Sequence, residues 1–198
     1  MRAGLQDPVH GAQRAFRATL DALARPGRIQ RMAAGDTAWP LGDAAAQVLL
    51  ALADEDTPVW WQHASDADAQ WLRFHTGARC TAAKREARFA IVTDVSNLPA
   101  LDEFAAGTAG SPEFSTTLLI EVPSLRDGPA VHAHGPGIAT REELRIAGLP
   151  AGFWAQWHAN HSAYPQGVDL LFTCGADLLG LPRTSRISRL EEVACTSR

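Results

Sequence analysis

The stretch Tyr164 to Arg186, YPQGVDLLFTCGADLLGLPRTSR, decides how the rest of the chain is read. Tyr164-Pro165 suits only a loop or turn, and Gly167 follows it. An apolar run from Val168 to Cys174 carries a single carboxylate, Asp169; after the Gly175-Ala176 break, a second run from Asp177 to Leu181 ends at Pro182. Runs this short and apolar predict two buried strands, with Asp169 at the entrance and Arg183, Thr184 and Arg186 at the exit. An unpaired buried charge is costly, so Asp169 needs a partner. If the strands pair antiparallel about Gly175, entrance and exit lie side by side and Asp169 meets Arg183. Residue types leave two readings open: an ion pair closing the strand ends, or a rim on which Arg183 and Arg186 grip a phosphate-like anion in bidentate fashion.

The composition bounds what surrounds this unit. A chain of 198 residues, 46% hydrophobic and 20% charged, suits one soluble domain with one substantial core, spanning residues 1–198 with a polar, frayed tail over 188–198. The net charge is −4 and the 17 arginines are scattered, so no basic stripe invites nucleic acid. No apolar run approaches the roughly 20 residues that cross a bilayer, and MRAGLQDPVHGAQRAF lacks the apolar centre of a signal peptide; a cytoplasmic protein is expected. Cys80, Cys174 and Cys195 lie far apart, which favours free thiols, and no C-x-x-C occurs.

Taken in order, Asp7-Pro8 opens a helix over Val9 to Ala24 whose Ala12, Phe16, Leu20 and Leu23 recur at helical spacing. Arg25-Pro26-Gly27 stops it, and Arg28 to Met32 is a weak strand. Asp43 is expected to cap a second helix burying Ala45, Val48, Leu49 and Leu52, and Thr57 to Trp61 enters a strand. Asp66 to Phe74 reads as a short helix ended by Gly77. Phe89 to Val95 and Thr116 to Val122 are continuously apolar, as strands covered on both faces are. Val131 starts another strand, the Gly135-Pro136-Gly137 element is a turn or a close approach to a ligand, and Arg141 to Arg145 is strand or helix. Ala151 to His161, with Phe153, Trp154 and Trp157, is an aromatic-faced helix. Buried strands alternating with helices predict a three-layer α/β/α sandwich with a mixed sheet.

The chain also carries chemistry-bearing groups outside the hairpin. His132 and His134 share a strand face, and His158 and His161 share a helix face, so a zinc-dependent hydrolase built on these four is an alternative reading; no carboxylate at ligand spacing supports it. Phosphate-loop, dinucleotide and serine-elbow motifs are missing. Trp60, Trp61, Trp154 and Trp157 suit core packing or a subunit interface.

The run P-x-G-x-D-L-x-x-T-C-G followed by L-x-x-x-P-R-T, formed by Pro165, Gly167, Asp169, Leu170, Thr173, Cys174, Gly175, Leu178, Pro182, Arg183 and Thr184, resembles the signature of the PhnH family. Four further stretches match in the same order: Leu49 to Trp60, Leu72 to Thr76, Phe89 to Asp94 and Gly107 to Val122. That resemblance implies a subunit of the bacterial carbon-phosphorus lyase system. The assembly transfers a phosphonate to the ribose of ATP with loss of adenine, giving ribose 1-phosphonate 5-triphosphate. The chain would be an essential, non-catalytic part of it, with the other subunits as partners and a homodimer when isolated. The family's fold is similar to the large domain of pyridoxal-phosphate transferases, yet no cofactor is implied. Lys84, the sole lysine, sits in the charged run KREAR, a poor place for a Schiff base. Lacking a cysteine cluster motif, the chain is not the radical subunit that breaks the carbon-phosphorus bond. The residues that would contact a substrate or anion are Gly135, Gly137, Asp169, Arg183 and Thr184.

Overall fold

A computed structural model describes residues 3–34 and 39–189. The N-terminal helix α1 (Pro8–Ala24) starts as the sequence predicts, the Asp7 carboxylate accepting from the His10 amide at 3.0 Å. It leads through β1 (Gln30–Arg31) to α2 (Asp43–Leu52), β2 (Val59–Trp61) and α3 (Asp66–Thr76). There follow β3 (Phe89–Val92), several 3-10 turns, β4 (Thr117–Glu121), β5 (Ala130–His134) and β6 (Glu142–Arg145). Helix α4 (Phe153–Ser162) precedes the hairpin of β7 (Asp169–Cys174) and β8 (Asp177–Leu181), and β9 (Arg186–Arg189) closes the described chain. Arg141 to Arg145 therefore contains a strand, not a helix. Ser188 and Arg189, expected in the tail, belong to β9; residues 190–198 and Cys195 lie outside the described residues.

The fold is α/β, built on a mixed six-stranded sheet in the order β1-β8-β7-β4-β3-β2. Strands β2, β3, β4 and β7 are parallel, while β8 runs antiparallel to β7 with Leu171 opposite Gly180 and Cys174 opposite Asp177. The hairpin thus occupies the interior of the sheet, which is why its residues are apolar on both faces. Leu118, Ile120, Leu170, Phe172 and Leu181 face α4 and the inner side of a second sheet, ordered β6-β5-β9. Ile91, Leu119, Leu171 and Leu178 face α1, α2 and α3. One covering layer is helical and the other combines a helix with a small antiparallel sheet, a component the sequence pattern did not reveal.

Two local expectations are corrected. Helix α1 buries Gly11, Ala15, Thr19 and Ala22, whereas Phe16 and Leu20, expected on the packed stripe, are exposed. The cause is close approach: α1 lies so near β8 that a Cβ on Gly180 would stand 2.5 Å from the Ala22 carbonyl oxygen, so only small side chains fit the inner face. Asp43 is the first residue of α2 and not its cap; Gly42 holds that position without a side-chain cap, and its amide donates to the Glu121 carboxylate at 2.7 Å.

Candidate functional site

Sequence reasoning places Asp169 beside Arg183, and the fold does bring them together. Asp169 begins β7 and Arg183 follows the end of β8, so antiparallel pairing about the Gly175 turn sets them at the same edge. The Arg183 guanidinium forms an ion pair with Asp169 through Nη2, and its Nε donates to the same carboxylate at 3.1 Å. The Arg183 amide adds a further bond to Asp169 Oδ1 at 2.8 Å. Its Nη1 donates to the carbonyls of Pro112 at 3.1 Å and Pro165 at 3.3 Å, and Nη2 also donates to the Ser115 hydroxyl. A guanidinium has five N–H donors, and all five are directed at groups of this chain. The pair is mostly buried, with side-chain exposures of 11% for Arg183 and 22% for Asp169. This is the geometry of a structural tie joining the 112–115 segment, the Tyr164-Pro165 turn and the hairpin ends.

A shallow cleft of about 290 Å³ opens above the tie, lined among others by Glu113, Tyr164, Asp169, Arg183 and Thr184. The remaining predicted residues, Gly135 and Gly137, do not line it and serve packing. Gly135, at φ 137°, lies so close to the next segment that a Cβ would stand 2.9 Å from the Thr184 carbonyl oxygen. Gly137, at φ 81°, meets the end of α1, where a Cβ would be 2.1 Å from the Ala24 carbonyl oxygen. The Gly135-Pro136-Gly137 turn therefore wedges between α1 and the 182–185 segment.

The four histidines do not converge. His161 Nδ1 donates to the Arg183 carbonyl at 2.8 Å and His158 Nε2 to the Ile187 carbonyl at 2.7 Å. Between them, Trp157 Nε1 donates to the Ser185 carbonyl at 3.0 Å. Three side chains of α4 thus satisfy alternate carbonyls along the segment entering β9 and cover a strand edge that would otherwise stay open. His134 bonds the Thr140 carbonyl and the Ser188 hydroxyl, and His132 is buried in β5. No group of three or more His, Cys, Asp or Glu among the described residues is arranged to hold a metal ion. The hydrolase alternative is not supported.

The tie lies at the amino end of the parallel strands, since Asp169 stands in register with Thr117 and Thr117 with Phe89. Ligands of open α/β sheets ordinarily sit at the carboxyl ends. There the structure places polar groups that sequence reasoning passed over. Glu121 ends β4 opposite Thr173, and burial pushes its carboxyl above the usual range against the opposing pull of the Gly42 amide. Asp177 is bonded by Arg31 at 3.1 Å and Arg126 at 2.5 Å. The only sequence signal for either acid is a carboxylate at the end of an apolar run, as Asp169 is.

Residues 3–188 match the family described as "Bacterial phosphonate metabolism protein (PhnH)". A Rhizobium meliloti (strain 1021) protein named alpha-D-ribose 1-methylphosphonate 5-triphosphate synthase subunit PhnH is 42% identical over 186 residues, covering 92% of this chain and 93% of that protein. A Stutzerimonas stutzeri protein named putative C-P lyase subunit protein HtxG is 31% identical over 187 residues, covering 89% of this chain and 85% of that protein.

Proposed function

The chain belongs to the PhnH family of bacterial phosphonate metabolism proteins, and from that premise we propose that it works as a subunit of a carbon-phosphorus lyase assembly. The single observation that carries this is the end-to-end likeness to a named synthase subunit, 42% identical over 93% of its length. The reaction ascribed to the assembly joins a phosphonate oxygen to C1 of the ATP ribose and releases adenine. In our reading this chain contributes structure and not a reacting group, acts in the cytoplasm, and pairs as a homodimer when isolated.

The geometry supports a structural role at the hairpin. Arg183 spends its donors on Asp169, Ser115 and two carbonyls, so gripping a phosphonate there requires breaking bonds that hold the fold. Anion binding by Gly135, Gly137, Asp169, Arg183 and Thr184 is the second reading, favoured by the cleft over Arg183 and the Thr184 side chain on its wall. Likeness to pyridoxal-phosphate transferases is read as architecture alone. Lys84 does not fit a Schiff base, because its ammonium is paired with Glu103 at 2.7 Å and lies 5.4 Å from the centre of the Trp60 ring.

Co-expression with the other subunits, followed by size-exclusion chromatography, tests the assembly reading. The chain should elute with them, and elution apart from them, as monomer or homodimer, overturns the proposal. Thr184→Val then separates the two site readings, because it removes a hydroxyl from the cleft and leaves the Asp169-Arg183 tie in place. Unchanged phosphonate turnover supports the structural role. A loss of orders of magnitude with assembly intact supports a ligand in the cleft.

A further inference from the structure

We infer that the outward face of α1 is a docking surface for a helix of a partner subunit that combines apolar residues with carboxylates, an inference resting on the assembly reading above. Val9, Phe16 and Leu20 are 64%, 50% and 56% exposed. At 100° per residue they fall within a narrow arc of the helix, since positions 9, 16 and 20 are separated by seven and four residues, or about two turns and one turn. Scattered exposed apolar residues need no explanation, but three large ones aligned on one helix face form the kind of stripe that another helix covers. The small inner face of α1 fixes this orientation: Gly11, Ala15, Thr19 and Ala22 are the residues that fit against α2 and β8, so the helix cannot rotate to bury Phe16 and Leu20.

Charge selects the partner. Arg17 flanks the stripe on one side, is exposed, and is neither hydrogen-bonded nor ion-paired to a described residue. Asp21, the nearest acid on that flank, is engaged by Arg25 at 3.4 Å. Pairing of α1 with its own copy, antiparallel and centred on Phe16, sets Arg17 next to the two-fold axis in both chains and brings two guanidiniums together without a carboxylate between them. A partner helix with Asp or Glu beside its apolar residues meets the same stripe with complementary charge.

The test uses the full chain co-expressed with the other subunits of the assembly. The double variant Phe16→Glu/Leu20→Glu should keep the wild-type melting curve, because both side chains are exposed, and should weaken association by about 100-fold or more. Arg17→Glu, which leaves the apolar stripe intact, should weaken it by about 10-fold and flatten its dependence on salt. Wild-type assembly that survives Phe16→Glu/Leu20→Glu undiminished overturns the docking surface while leaving the assembly reading in place. Failure of the wild type to assemble overturns both. A wild-type homodimer that Phe16→Glu/Leu20→Glu dissociates, with the hetero-assembly unaffected, overturns the choice of partner in favour of a second copy.

Discussion

Arg183 is bound to Asp169 twice over, by its guanidinium and by its own backbone amide, which reaches Asp169 Oδ1 at 2.8 Å. The side-chain and main-chain bonds converge on one carboxylate, so the exit of β8 is fixed to the entrance of β7. Removing one member of a buried pair leaves the other charge uncompensated. We expect Arg183→Ala to destabilise the fold by roughly 3 to 5 kcal/mol. Chemical denaturation of wild type and variant measures this, and a change below about 1 kcal/mol would mean that solvent already screens the pair.

Two glycines with positive φ should respond differently to alanine. Gly175 turns the hairpin at φ 57° with open space around its would-be Cβ, so Gly175→Ala bears only the left-handed backbone cost of about 1 to 2 kcal/mol. Gly137→Ala adds a clash with the Ala24 carbonyl oxygen, 2.1 Å from the new methyl, and must displace α1 or the turn. Its loss of stability should be the larger of the two, and equal losses would show that the turn yields freely.

Glu121 gives the fold a pH dependence of defined sign. Its carboxyl is raised by burial, so the stabilising contribution of its neutral form is complete below the ordinary Glu range and is lost as pH rises through its folded value. Glu121→Gln keeps an acceptor for the Gly42 amide without the charge. The variant should match wild type in urea midpoint near pH 4 and exceed it at pH 7. A variant less stable than wild type at pH 7 contradicts the desolvation account.

The α4 histidines should behave as structural donors. His161→Ala leaves the Arg183 carbonyl short of a partner and should cost about 1 to 3 kcal/mol, whereas a chelator should not shift the melting temperature. A chelator-induced fall in melting temperature would revive the metal reading.

What could be read in advance followed from local rules. Asp7-Pro8 announces the start of α1, Gly77 ends α3 in a left-handed conformation, and the apolar runs of β4 and β7 announce strands covered on both faces. The pairing of Asp169 with Arg183 was legible because antiparallel strands about a two-residue turn have only one register that joins their outer ends. Strand β9 was not legible, since a single apolar residue, Ile187, stands among three polar ones and, among the described residues, the strand pairs with β5, distant in sequence. Nor was the role of Trp157, His158 and His161, because their acceptors are backbone carbonyls and carry no side-chain signature.

By itself, then, the sequence determined the hairpin, the start of α1 at Asp7-Pro8, the end of α3 at Gly77, and the family likeness. Only the tertiary structure decided which face of α1 is buried, that the donors of Arg183 are turned inward, and that this tie stands at the amino ends of the parallel strands. The physical reason is that periodicity reports which residues share a face, whereas the distance of closest approach between elements, here α1 against Gly180, selects which face fits.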